Sequence, residues 1–137
     1  LSDVTGDYAV LALMGPKARQ VLSAICDDDL SNEAFGFAQQ REIGVTDFSV
    51  RALRLTYVGE LGWELHVPTA QAGKLYDLLM QAGAAFGIVN AGYRAIETLR
   101  FGIASAESAG DLQAQRVMQV FQKRLGKRLE LGLPGQS

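Results

Sequence analysis

Residues 50–68, near the middle of the chain, constrain the fold most because they contain two alternating apolar segments on either side of a glycine-bounded turn. Val50–Val58 predicts a strand, and residues 59–62 predict a turn. A returning strand follows and is ended by Pro68. The pattern therefore predicts a β-hairpin with a four-residue connection. The alternating apolar positions of the two strands are Leu53, Leu55, Tyr57, Trp63, Leu65 and Val67.

The segments on either side of the hairpin predict helices that pack on a sheet. The apolar run Tyr8–Leu13, followed by Gly-Pro at 15–16, predicts a buried strand and then a helix, and residues 31–48 predict short strands or a packed loop. Thr69 and Asn90 predict the N-caps of two further helices. This order of elements predicts an α+β fold, a split βαβ (ferredoxin-like) antiparallel sheet with helices on one face. The positions expected to face inward from the helices are Ala18, Val21, Leu22, Ile25, Leu75, Leu78, Leu79, Ala82, Tyr93, Ile96 and Leu99.

The last third of the chain has a different pattern. Small and polar residues at 104–110 predict a linker, and 111–125 predicts a C-terminal amphipathic helix. We therefore divide the chain into a partial domain at 1–103 and a C-terminal segment at 104–137, whose last residues form a loose tail. The apolar side of the helix is a possible docking surface for a partner. Its residues are Ala114, Met118, Phe121 and Leu125.

Composition excludes several classes of function. The formal net charge is -2, with 48% hydrophobic and 20% charged residues, which is typical of a globular domain without a field that attracts nucleic acid or an anionic membrane. No apolar run approaches the roughly 20 residues that span a bilayer. The basic residues at 123–128 are interpreted as a solvated helix end. With one histidine, His66, and one cysteine, Cys26, we expect no metal site and interpret both residues as structural.

Three charged residues stand out as possible binding groups. Glu60 lies in the turn between two glycines, where a carboxylate can be presented to a ligand, and Glu64 follows on the returning strand. The residues alone favour a solvated turn for Glu60 and a water-facing position for Glu64. Arg94 lies in the first turn of a predicted helix, an unfavourable place for a cation. It is therefore expected to meet either an acidic ligand or Glu97, three residues further on.

Three segments, in this order, resemble the glycine-cleavage T-protein (aminomethyltransferase) family. Residues 56–64 read Thr-Tyr-Val-Gly-Glu-Leu-Gly-Trp-Glu and resemble that family's Tyr-x-Gly-Glu-x-Gly-x-Glu motif. Residues 10–19 are similar to its strand, Gly-Pro and helix unit, and residues 91–100 are similar to its helix that begins near a ligand-contacting arginine. The resemblance covers roughly residues 3–101 and is strongest to the folate domains of sarcosine dehydrogenase and dimethylglycine dehydrogenase.

The resemblance implies a tetrahydrofolate site. It implies that Glu60 accepts two N–H bonds from the pterin ring, that Tyr57 packs beside the ring, and that Arg94 organises the acidic site. Glu64 matches the motif and is included in the expected cofactor-binding set. The implied cofactor is tetrahydrofolate, while FAD is expected only in a separate, upstream flavin oxidoreductase domain of the parent protein. The implied location is the mitochondrial matrix in a eukaryote and the cytoplasm in a bacterium.

The chain departs from the family pattern at both ends of the resemblance. The family's catalytic aspartate lies in an N-terminal segment without a counterpart here, so we expect no catalytic residue. After Phe101 the Glu-x-Gly continuation is replaced by other residues. We therefore expect a truncated folate-binding module of a one-carbon-transfer or methylamine-oxidising dehydrogenase, inactive alone. The alternative is a non-catalytic regulatory or protein-interaction domain with the same fold.

Overall fold

The fold combines an antiparallel sheet with short helices. The computed structural model describes residues 2–92 and 94–100. These form two compact units, one made of Leu1–Thr56 and Leu61–Phe86, and one that contains Tyr57–Glu60 and the described residues from Gly87 onward. The elements are β1 (Tyr8–Met14), α1 (Ala18–Ser23), β2 (Gln40–Val45), β3 (Phe48–Leu53), β4 (Gly62–Pro68), α2 (Ala72–Gly83) and α3 (94–100), with single 3₁₀ turns at Thr69–Gln71 and Ala84–Phe86.

The sheet has the order β1-β4-β3-β2, and every neighbouring pair is antiparallel. β4 therefore lies inside the sheet although it is the last of the four strands in sequence. Its residue Leu65 pairs with Leu11 of β1 on one side and with Ala52 of β3 on the other. β2 forms an outer edge, where the Asp28 carboxylate accepts a hydrogen bond from the Gly44 backbone N–H at 2.8 Å.

One face of the sheet is buried and carries the core. Its side chains alternate with exposed or half-buried ones along each strand, as the period of two requires. α1 packs against β4 and α2, and α2 packs against β1, so both helices cover this face. The buried residues of the strands and of these two helices include Leu11, Leu13, Ala18, Val21, Leu22, Ile43, Val45, Val50, Ala52, Trp63, Leu65, Val67, Leu75 and Leu79.

The class predicted from the sequence is confirmed, since the fold is α+β with an antiparallel sheet and helices. The connectivity differs from a split βαβ in the described residues. A split βαβ joins two parallel strands through a helix, whereas α1 joins β1 to β2, which run in opposite directions. Residues 88–89 form no strand. The predicted helix at 111–125 and the boundary at 103 lie outside the described residues.

The central hairpin is confirmed, but its connection is longer than predicted. β3 pairs with β4, yet it ends at Leu53 and leaves residues 54–61 as the connection. After Leu53 the backbone turns away from β4, since the N–H of Leu55 donates to Leu53 O at 3.0 Å. On the β2 side of β3 the pairing continues for one more residue, because the Arg54 N–H donates to Gln39 O at 2.9 Å and the Arg54 carbonyl accepts the N–H of Ala38 at 2.9 Å. The chain therefore leaves the β4 ladder before the predicted turn.

Gly62 is the first residue of β4, and both β1 and the connection come unusually close to it. A Cβ added to Gly62 would lie 2.8 Å from Met14 Cγ, 3.1 Å from the carbonyl oxygen of Leu55 and 3.2 Å from that of Leu13. Two of these three neighbours are backbone atoms, which cannot rotate away. Gly62 is therefore required by space.

Helix boundaries differ from the predictions at Thr69. Thr69 is not the N-cap of α2, which begins at Ala72. Its hydroxyl instead donates to Gly6 O at 2.9 Å and its N–H to Asp7 O at 2.9 Å, which ties the end of β4 to the segment before β1. α1 ends at Ser23, two residues before the predicted inward position Ile25. Within the described residues, no helix is long and apolar enough to cross a membrane.

Acidic pH is expected to weaken the exposed face of the sheet. Ser49 Oγ donates to Glu42 Oε2 at 2.6 Å, and this bond, followed by that from Arg51, lowers the pKa of the Glu42 carboxyl. Because the folded pKa is lowered, the stabilisation is present above the ordinary pKa and is lost as pH falls through the folded value. We expect Ser49→Ala to raise the pKa of Glu42 in an NMR titration. Ser23→Ala is the control, and an unchanged Glu42 pKa in Ser49→Ala would contradict the assignment.

Candidate functional site

The segment Tyr57–Glu60 is built to present side chains. Val58 is buried, with 1% of its surface exposed, while the flanking Tyr57 is 56% exposed. Gly59 has φ +67, a conformation that favours glycine, and it reverses the chain direction before Glu60. Glu60 is half-buried. The inward Val58 and the left-handed Gly59 therefore hold Tyr57 and Glu60 at the surface.

Arg94 is the first residue of α3. The helix begins when Ala95 N–H donates to Gly92 O at 2.8 Å, and Thr98 Oγ1 donates back to Arg94 O at 3.0 Å. The Arg94 side chain is exposed. No salt bridge joins Arg94 to Glu97 among the described residues, so the local ion pair that the sequence left open is not formed.

The prediction that Asn90 caps the third helix is wrong, because residues 90–92 are not helical and α3 begins at residue 94, but the Asn90 side chain is buried. Asn90 is 8% exposed and is the one buried polar side chain in the part of the chain that the structure describes. The next residue, Ala91, is 1% exposed. Buried amides need hydrogen-bond partners and therefore fix local geometry. The segment that precedes Arg94 is therefore anchored by buried side chains.

Glu64 has different surroundings from the other three expected binding residues. Tyr57, Glu60 and Arg94 belong to one compact unit, whereas Glu64 belongs to the other. Glu64 lies on the outer face of β4, with 18% of its side chain exposed and its Oε2 3.5 Å from His66 Nε2. No hydrogen bond forms between them, so this is a close approach that becomes an ion pair when His66 is protonated. The structure groups three of the four residues in one unit.

The two residues that the sequence interpreted as structural, His66 and Cys26, both lie in described elements or loops of the first unit. His66 lies on the face of β4 opposite Trp63, as the alternation predicts. Cys26 is buried as a free thiol, and burial is the main cause that raises its pKa. The backbone hydrogen bond from Asp28 opposes this rise in pKa, while the charges of Asp28 and Asp27 add to it. A raised pKa keeps the thiol protonated and unreactive at neutral pH.

The first unit contains an arginine cluster that no sequence pattern indicated. Arg19 Nη2 and Arg54 Nη2 both donate to Asn32 Oδ1, at 2.6 and 2.7 Å. Arg19 Nε also donates to Leu30 O at 2.9 Å, and Arg54 Nη1 donates to Phe35 O. The two guanidinium carbons lie 6.0 and 5.9 Å from the centre of the Trp63 ring. The residues are far apart in sequence, so no short motif could reveal them.

Comparisons with known proteins identify relatives of the whole described region. The family model of the GCVT N-terminal domain matches residues 1–119. The mitochondrial sarcosine dehydrogenase of Mus musculus is 50% identical over 99 residues, covering 72% of this chain and 11% of that protein. The mitochondrial dimethylglycine dehydrogenase of Homo sapiens is 40% identical over 100 residues, covering 73% and 12%. The aminomethyltransferase of Shouchella clausii (strain KSM-K16) is 38% identical over 101 residues, covering 74% and 27%.

These relatives confirm the family resemblance found in the three sequence segments. The chain spans only about a tenth of the length of the two dehydrogenases and about a quarter of the length of the aminomethyltransferase.

Proposed function

Since the chain belongs to the GCVT N-terminal domain family, we propose that it is a tetrahydrofolate-binding module of a protein that transfers one-carbon units or oxidises methylated amines. The observation that carries this proposal is the geometry of Tyr57–Glu60. A half-buried carboxylate and an exposed phenol ring flank the buried Val58 and the left-handed Gly59, within the segment that matches the family motif. Planar heterocycles with an amide edge need this combination of a flat apolar neighbour and a bidentate acceptor.

Glu60 is proposed to read the pterin edge. A carboxylate oxygen pair can accept two parallel N–H bonds from the amino-pyrimidinone side of the ring, which fixes both affinity and orientation. Half-burial supports this role, because a charge-assisted hydrogen bond gains strength where water is partly excluded. Gly59 supports it as well, since the absence of a side chain lets a ligand approach the backbone.

Tyr57 and Arg94 complete the proposed site. The Tyr57 ring, 56% exposed, offers an aromatic face to a planar ligand. Arg94 has no ion pair with a described carboxylate and stands at a helix N-terminus, where a cation is unfavourable unless it meets an acidic group. We propose that it neutralises acidic groups of the site. The buried Asn90 supports it by anchoring the chain that enters α3.

Glu64 enters the proposal through the family motif. We propose that Glu64 belongs to the folate-binding set on the basis of this motif alone.

The wider setting is part of the proposal. Flavin chemistry is assigned to a separate domain of the parent protein, and this chain is proposed to bind folate without catalysing the transfer alone, since catalysis depends on a complete set of positioned groups. The proposed location is the mitochondrial matrix for a eukaryotic parent and the cytoplasm for a bacterial one. The two dehydrogenases compared above are named as mitochondrial. The helix predicted at 111–125, which lies outside the described residues, is proposed as a partner-binding surface.

Titration of a reduced folate against the purified chain tests the proposal. Glu60→Gln keeps the shape of the side chain and removes its charge, and we expect it to weaken binding about tenfold or more. Glu33→Gln removes an exposed carboxylate from the other unit and is expected to leave affinity unchanged. Absence of saturable binding at about millimolar folate would reject the module as a folate binder. The alternative, a protein-interaction domain, would then be tested by a partner pull-down that Phe121→Asp abolishes.

A further inference from the structure

We propose that the arginine pair, Arg19 and Arg54, is a binding site for a small oxyanion, best fitted by a single carboxylate group. The site lies within the first compact unit and uses none of the residues assigned to folate. It therefore stands or falls independently of the proposed folate function.

The two guanidinium groups converge on one point. Both Nη2 atoms donate to the same oxygen, Asn32 Oδ1, at 2.6 and 2.7 Å, so they lie within a few ångströms of each other. Asn32 is exposed, and both bonds are accessible to solvent. An incoming oxyanion can therefore reach the point that the amide oxygen now occupies.

Neither guanidinium group is paired with a carboxylate in the described part of the chain. The oxygen to which both donate belongs to an amide, which carries no net charge. Burial lowers the pKa of Arg54, and the nearby charge of Arg19 lowers it further, while Glu33 opposes the change from beyond ion-pair distance. Two like charges held together are stabilised by an anion between them.

The arginines are also held in place for such an anion. Arg19 is anchored by Leu30 O and Arg54 by Phe35 O, and both lie against the fully buried Trp63 ring. Each guanidinium carries more N–H donors than its two observed bonds use. Because the groups are already fixed, an anion binds them without the entropic cost of ordering long side chains.

The surroundings favour a small anion of low charge. Arg19 and Asn32 line a cavity of about 380 Å³ that is also lined by Asp28, Asp29 and Glu33. These carboxylates repel a multiply charged ligand but tolerate a single negative charge placed against the two guanidiniums. The planar fork of arginine matches both carboxylate and phosphate, so the lower charge of a monocarboxylate makes it the better fit.

Trp63 provides the signal for a direct test, because it is the single tryptophan of the chain and contacts both arginines. Acetate is titrated at constant ionic strength set with sodium chloride, and Trp63 fluorescence is recorded. We expect a saturable change at about millimolar acetate and weaker binding of inorganic phosphate. A response that is absent, or that does not saturate below about 100 mM, overturns the proposal. Tighter binding of phosphate than of acetate overturns the assignment of a carboxylate.

Asn32→Asp provides a variant that does not depend on weakening the fold. It replaces the shared amide oxygen by a carboxylate of the same shape, so the protein supplies its own anion. We expect acetate binding to fall tenfold or more and the melting temperature to rise. Gln40→Glu makes the same change of charge at an exposed position on β2 and should retain acetate binding. Unchanged acetate binding or a lower melting temperature in Asn32→Asp overturns the proposal.

Discussion

Replacement of Phe35 by alanine is expected to lower the free energy of unfolding by about 3–5 kcal/mol. Phe35 is fully buried, although it lies in the irregular segment between α1 and β2. Its ring packs against Trp63, with centroids 6.2 Å apart and planes inclined by 60°, and the Arg41 guanidinium lies 5.5 Å from its centre. Alanine would leave a cavity beside Trp63 and Arg41, the two side chains that lie against the Phe35 ring.

Phe37 is the matched control, since it is the same residue type two positions along the same loop. It is 68% exposed, so Phe37→Ala is expected to change stability by no more than about 0.5 kcal/mol. Urea denaturation followed by far-ultraviolet circular dichroism measures both variants. Equal destabilisation by the two substitutions would show that the loop does not contribute to the core as described.

The second large effect is expected at Gly62. Gly62→Ala should destabilise the chain by about 1–3 kcal/mol, because the new methyl group meets Met14 and two backbone carbonyl oxygens. Met14 can rotate, whereas the carbonyls of Leu13 and Leu55 can move only if β1 and the connection shift. We expect the loss to fall at the upper end of this range.

Gly73 is the control for the Gly62 substitution. It lies near the start of α2 with no atom within 4 Å of an added Cβ, so alanine there should be neutral or stabilising by up to about 1 kcal/mol. Thermal melts of both variants, recorded at the same protein concentration, measure the difference between the two substitutions. If Gly62→Ala has the same melting temperature as the unsubstituted chain, the close approach of β1 and the connection to Gly62 is incorrect.

Local patterns in the sequence correctly predicted which side chains of β4 and α2 are buried, because this depends on residues that are close in sequence. The alternation in β4 identified Trp63, Leu65 and Val67 as core residues, and all three are fully buried. Likewise the helical spacing identified the buried Leu75 and Leu79 of α2. These predictions succeed because the period of a strand or helix determines which side chains share a face.

Features that depend on distant residues could not be predicted from pattern. Arg54 bonds to Ala38 and Gln39, residues that the hairpin pattern does not include, so the β2 side of β3 continues beyond the last residue that pairs with β4. The pairing of β1 with β4, and hence the departure from a split βαβ, is likewise a contact between segments far apart in sequence. The arginine pair meets at Asn32 for the same reason.

In the candidate site, the sequence predicted individual residues but did not indicate which of them share a compact unit. The glycine-bounded turn and the family motif led to Tyr57, Glu60 and Arg94, which one compact unit contains. Glu64 was added on the motif alone, and strand alternation turns it to the outer face of β4. Glu64 belongs to the other unit because it lies on β4, within the sheet.

The interior position of β4 has a consequence for how the chain acquires its shape during synthesis. β1 leaves the ribosome first, yet the described strand beside it is completed only with Pro68, so the Leu13–Trp63 pairing closes a loop of about 50 residues. Until then only the β2–β3 pair can form. The described strands therefore reach their full pairing only after β4 has been synthesised.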